Sequence, residues 1–156
     1  MDANSLNQWL SLGANIGVLA GIFLLIFEIR QNRQAIRAQT RNDLAQGAIS
    51  LISLAVENPH VADIVVRSNR GENLTETENY ILLSRAESYF RYFENVHYQY
   101  RIGAYDEAEF SRHMVTMRLT TANTASLRQF WSEHSSMFSE EFEKAANYVF
   151  GVESCE

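Results

Sequence analysis

The hydrophobic positions divide the chain into one uncharged apolar run followed by a series of amphipathic stretches. From Trp9 to Phe27 nineteen positions pass without a charge, and eleven of them are Leu, Ile, Val or Phe. A helix of that length extends roughly 28 Å, close to the ~30 Å hydrocarbon thickness of a bilayer. Its apolar residues outweigh the insertion cost of Ser11 and Asn15, and Trp9 stands at one end, where an indole prefers the interface. The run therefore predicts a transmembrane helix. A buried core helix is the first alternative. A cleaved signal peptide is the second, and it fits less well. A signal peptide starts with positive charge, whereas here Asp2 precedes the run and the arginines follow it.

The helical pattern continues past the run. Ile29, Ile36, Leu44, Ala48, Leu51 and Ala55 extend an apolar stripe at helical spacing, and no Gly or Pro interrupts before Gly47. The first helix is expected over about residues 6 to 56, with a bend near 40 to 42. Asn58-Pro59 ends it and opens a short helix over 60 to 69, closed by Gly71. Thr75 with Glu78 forms a capping box for a long helix over 76 to 102, which Gly103 closes. Asp106 with Glu109 repeats that signal for a helix over 107 to 121. Thr124 and Ser139 cap helices over 125 to 135 and 140 to 150, and Gly151 ends the last. No stretch alternates with period two. The fold class is all-α: a transmembrane helix continuing into a small cytoplasmic helical bundle. The divisions are an anchor over 1–29, a basic juxtamembrane segment over 30–41, a helical domain over 42–150 and a tail over 151–156.

Charge adds a direction. Arg30, Arg33, Arg37 and Arg41 follow the span and no basic residue precedes it. The positive-inside rule then places the later residues in the cytoplasm, with the opposite end outside. These arginines are expected to meet anionic headgroups, at about 1 kcal/mol per charge. Residues after Arg41 hold nine basic and seventeen acidic side chains, so the domain is acidic while its collar is basic. A net charge of −6 argues against nucleic acid as a partner. The single cysteine, Cys155, cannot form an intrachain disulfide or a cysteine zinc site, which fits a reducing compartment.

Gly13, Gly17 and Gly21 recur every four residues on one helical face. Such a strip lets two backbones approach closely and predicts a homo-oligomer packed through the anchor. The same strip would also serve against a different membrane protein.

The helix over 76 to 102 carries the residues closest to chemistry. Leu82, Ala86, Tyr89, Phe93, Val96 and Tyr100 form its core stripe. Glu87, Arg91 and Glu94 step along an adjacent face as ion pairs at helical spacing, read first as surface or interface contacts, second as a partly buried structural network, and last as a catalytic group. Glu94 and His97 make a Glu-x-x-His pair of the kind found in di-iron bundles. The other such pair, Glu57 and His60, encloses Pro59 and loses the required helical geometry. No metal centre or other cofactor is therefore expected, and His97 is read as an aromatic contact near Phe90. There is no nucleophile elbow, phosphate loop or dinucleotide fingerprint. Phe130, Trp131, Phe138 and Phe142 read as packing between the last two helices.

Three segments together resemble a widespread family of small bacterial membrane proteins of unknown function. The first runs from the glycine-bearing anchor through Glu28-Ile29-Arg30-Gln31-Asn32-Arg33-Gln34-Ala35-Ile36-Arg37-Ala38. The second is Arg91-Tyr92-Phe93-Glu94-Asn95-Val96-His97-Tyr98-Gln99-Tyr100, followed by Gly103. The third joins Phe130-Trp131 to Phe138-Ser139-Glu140-Glu141-Phe142. The resemblance implies a single-span bacterial inner-membrane protein with an all-helical cytoplasmic region, and it implies no activity. It directs interest to the polar residues Arg91, Glu94, Asn95 and Gln99. The leading expectation is a non-enzymatic interaction or scaffold protein that self-associates through its anchor. An accessory subunit of a larger membrane complex is the second. A helical metal-binding enzyme using Glu87, Glu94 and His97 is the third. A reporter enzyme fused after Glu156 is expected to be active in the cytoplasm; activity confined to the periplasm would reverse the orientation.

Overall fold

The computed structural model describes residues 3–151, with only the backbone described at residues 3–6 and 8. Asp2 and Cys155 lie outside the described residues. Six α-helices follow one another: α1 (Ala3–Val56), α2 (Pro59–Asn69), α3 (Glu76–Arg101), α4 (Glu107–Ala122), α5 (Ala125–His134) and α6 (Glu140–Phe150). A 3-10 turn, Ser135–Met137, joins α5 to α6. No strand occurs among the described residues. The chain divides into two units, 1–39 and 40–156.

The first unit is helical throughout its described residues, and it carries the apolar part of the one helix, among the described residues, that is long and apolar enough to cross a membrane. None of the apolar window is buried. Its large side chains stand open, with Trp9 66% and Phe23 71% exposed. A continuous apolar surface of this kind costs free energy in water and gains it in hydrocarbon.

The second unit is organised around α3, which packs against α2, α4, α5 and α6. The expected stripe faces inward: Leu82, Ala86, Tyr89, Phe93 and Val96 are buried, and Tyr100 at its end is half-buried. Phe90, fully buried, lies next to that stripe. It meets Phe130, Trp131 and Phe138 at ring-centroid distances of 5.8, 4.8 and 6.1 Å. Phe142 closes the cluster against Trp131 and Phe138, both at 5.8 Å. Offset and edge-on pairs of this kind add roughly 0.5–1.5 kcal/mol each to the burial of their surface. A smaller cluster of Leu44, Val96 and Tyr105 seats the 40–56 part of α1.

The helix boundaries follow local chemistry. Gly71, Gly103 and Gly151 adopt φ of 73°, 75° and 72° just beyond α2, α3 and α6, a conformation that a Cβ makes costly. Thr75 and Glu78 form the full capping box. Asp106 caps α4 through Ala108 N and Glu109 N. Thr124 and Ser139 occupy the expected N-cap positions, yet neither side chain makes the cap hydrogen bond. Distant residues do related work instead. Asn69 Oδ1 accepts from Ala125 N at 2.8 Å, and Glu94 Oε1 accepts from Ser139 N at 2.8 Å.

The α2–α3 corner is tied by one cation. Arg67 Nη1 reaches Glu78 Oε1 at 2.6 Å, its Nη2 donates to Asn73 O at 3.0 Å, and its Nε lies 3.4 Å from Glu72. Glu78 Oε2 also accepts from Thr75 N at 2.7 Å. The Thr75 N–H, followed by Arg67, pulls the Glu78 carboxyl down to about 2. A carboxylate held below its unfolded value stabilises the fold fully above that value, and the contribution fades as pH falls through the folded one. Glu78→Gln is therefore expected to lower the melting temperature near neutral pH. Its deficit relative to wild type should shrink between about pH 5 and pH 2. A deficit independent of pH over that range would remove the charge from the explanation.

Candidate functional site

The polar residues of α3 converge on the corner between α5 and α6. Arg91 is the pivot. Its Nη1 contacts Glu94 Oε2 at 2.9 Å, its Nη2 donates to Met137 O at 3.2 Å, and its Nε lies 3.9 Å from Glu87. The guanidinium also sits over the Phe138 ring, 4.5 Å from the centroid, a favourable cation–π arrangement. Glu94 uses its second oxygen on Ser139 N. In a capping box the third residue of the helix reaches back to the N-cap N–H; for α6 that role falls to Glu94, 45 residues earlier. Burial pushes the Glu94 carboxyl up, but Ser139 and Arg91 together hold it below its ordinary value. The face is neither a solvated ion-pair row nor an enclosed site. It is a half-exposed clamp that fixes the α5–α6 corner onto α3.

A shallow groove of about 440 Å³ runs beside this clamp, lined by Arg91, Glu94, Asn95 and His97 together with Arg101 and Glu141. Glu87 contributes only through Arg91, and Gln99 turns to Asn95 Oδ1 at 3.4 Å. His97 is an aromatic contact at the core edge, but its neighbours are Phe110 and Phe142 at 6.0 and 5.9 Å rather than Phe90. Two helical turns, roughly 10 Å, separate positions 90 and 97 along α3, so α4 and α6 reach His97 instead. Burial, then Arg101, lowers its pKa and favours the neutral ring. Among the described residues no group of three or more His, Cys, Asp or Glu is placed to hold a metal ion. Glu94, which a metal would need, has both oxygens committed.

The more closely knit polar cluster involves residues to which the sequence pattern gave no weight. Tyr92, on α3, donates its hydroxyl to Leu44 O at 3.2 Å. His113, on α4, places Nε2 3.0 Å from that hydroxyl and Nδ1 3.3 Å from the Tyr105 hydroxyl and 3.1 Å from Glu109 O. With Tyr92 donating to Leu44 O, its hydroxyl accepts from His113 Nε2–H. Arg41 completes the group through a 3.0 Å ion pair with Glu109. Burial raises the Tyr92 phenol to about 12, so it stays protonated across the physiological range. This cluster fixes residues 40–56 of α1 to α3 and α4. Gly47 makes it possible, because a Cβ there would stand 3.1 Å from two carbons of the Tyr92 ring. A lone glycine inside an apolar helical stripe is the signal that marks such a close approach.

The collar arginines Arg30, Arg33, Arg37 and Arg41 are exposed on α1. Arg41 divides its charge between solvent and Glu109. A Cβ at Gly13, Gly17 or Gly21 would meet nothing within 4 Å, so no contact among the described residues accounts for the glycine strip.

Comparison with family models, with curated proteins and with solved structures finds no match for this chain.

The Tyr92 contact generates a coupling test. In an ordinary exposed helix Gly→Ala stabilises by about 1 kcal/mol. Gly47→Ala is expected instead to lower the melting temperature, because Tyr92 is held by hydrogen bonds at its far end and cannot retreat. In a Tyr92→Leu background the added methyl has room, and the ordinary gain should return. Equal effects in both backgrounds would show that the ring does not require the glycine.

Proposed function

We propose that the chain is a membrane-anchored, non-enzymatic interaction protein. In this reading α1 crosses the bacterial inner membrane once, its collar arginines rest on the cytoplasmic leaflet, and residues 42–150 form a helical cytoplasmic domain. The single observation that carries the reading is the uncovered apolar window of α1, followed directly by four arginines. An exposed surface of that length suits hydrocarbon, and the positive charges suit the cytoplasmic headgroups. The domain adds rigidity rather than reaction chemistry: its best-ordered polar groups, around Arg91 and around His113, hold helices together. The glycine strip supports self-association, because it leaves room for another backbone and meets nothing among the described residues. An accessory subunit of a larger complex would use the same strip against a foreign helix.

Two measurements test the proposal. The full chain is expected to remain with the membrane pellet after alkaline carbonate extraction; recovery as a folded, detergent-free soluble protein would overturn the anchor. Cross-linking in membranes should give a homo-oligomer that Gly17→Leu weakens severalfold. An unchanged oligomer removes the strip from the assembly, and a stoichiometric foreign subunit assigns it to a larger complex.

A further inference from the structure

A cavity in the helical unit lies away from both polar clusters, between α4, α5 and α6. Its volume is about 570 Å³, within the range of small-molecule sites. Trp131 and Phe150 supply apolar lining, their rings 5.6 Å apart. Asn147 holds the Trp131 indole N–H at 2.9 Å, which fixes the orientation of that wall. The polar lining is unequal in charge. Arg118 and Arg128 border the cavity, and no acidic residue among the described residues lines it. Arg118 makes no hydrogen bond or ion pair among the described residues. Arg128 gives one N–H to Ala122 O and keeps further donors. Thr121, 4% exposed, completes the lining from α4.

We propose that this cavity binds a small amphipathic anion: a flat or short-chain apolar body against Trp131 and Phe150, with a carboxylate or phosphate head toward Arg118 and Arg128. Arginine suits both heads, because its planar fork can donate two parallel hydrogen bonds to paired oxygens. In a helical unit with more carboxylates than basic groups, two arginines at an aromatic pocket make a local complementarity to an anion.

The test uses the full chain in lipid nanodiscs with Trp9→Phe, which leaves Trp131 as the only tryptophan. Emission is followed during titration with 4-phenylbutanoate, phenyl phosphate and the neutral 4-phenylbutanamide, and protein-free nanodiscs provide the subtraction. A saturable change with at least one anion is expected, with the amide binding about tenfold more weakly. The tighter of the two anions assigns the head group. Arg118→Gln, an exposed substitution whose folding is checked by circular dichroism, should weaken the anion about tenfold and leave the amide unchanged. No saturable response, equal affinity for anion and amide, or an Arg118→Gln variant that binds the anion like wild type would each overturn the proposal.

Discussion

The burial of Phe90 is the interaction on which the helical unit depends. Fully enclosed, it is the point where α3 meets both α5 and the 3-10 corner, through Phe130, Trp131 and Phe138. Without that aromatic seat, α5 and α6 would lack a partner of matching shape. The Arg91 clamp depends on it too, since the guanidinium lies on the Phe138 ring that the cluster positions. The cavity between α4, α5 and α6 has the same dependence, because Trp131 packs into the core on one side and lines the cavity on the other. Dense apolar packing first fixes where the helices stand; polar groups then select one geometry among near alternatives.

The elements were legible in the sequence because their ends are written locally. A Thr-x-x-Glu box, an Asp N-cap and three glycines in the left-handed conformation act within a few residues of where they stand. The core stripe of α3 was legible for the same reason: helical period alone decides which residues share a face. Thr124 and Ser139 show the boundary of that legibility. Each stands at an N-cap position, but the cap contacts at these helices come from Asn69 and Glu94, 56 and 45 residues away. No local rule assigns a hydrogen bond at such separation.

The same distinction separates the two polar clusters. Glu87, Arg91 and Glu94 were visible because charged residues at three- and four-residue spacing advertise themselves. Their placement was not, because it depends on which helix corner lands beside them. Tyr92, Tyr105 and His113 carry no such spacing, and their contacts with one another and with Leu44 O form only when α1, α3 and α4 have docked. Gly47 alone left a trace, as a glycine where an apolar stripe would favour a larger residue. His97 was read correctly as an aromatic contact but against the wrong ring, because a helical period fixes the face of a residue and not the neighbour that covers it.

α1 joins two sets of demands in one helix. Over residues 9–27 it is uncharged, with its large apolar side chains open. At Leu44 and Gly47 it is shaped to fit Tyr92 and the smaller core cluster. These demands are chemically incompatible in a single solvent: an exposed apolar run gains in lipid, whereas the Arg41–Glu109 pair and the Tyr92–His113 bonds need an aqueous or protein setting. The charge pattern changes between them, with arginines alone over 30–41 and an excess of carboxylates beyond. Under the proposed anchoring, the collar stands where the medium changes from lipid to water. A sequence under no such constraint would have no reason to keep acidic residues out of that stretch while keeping them abundant afterwards.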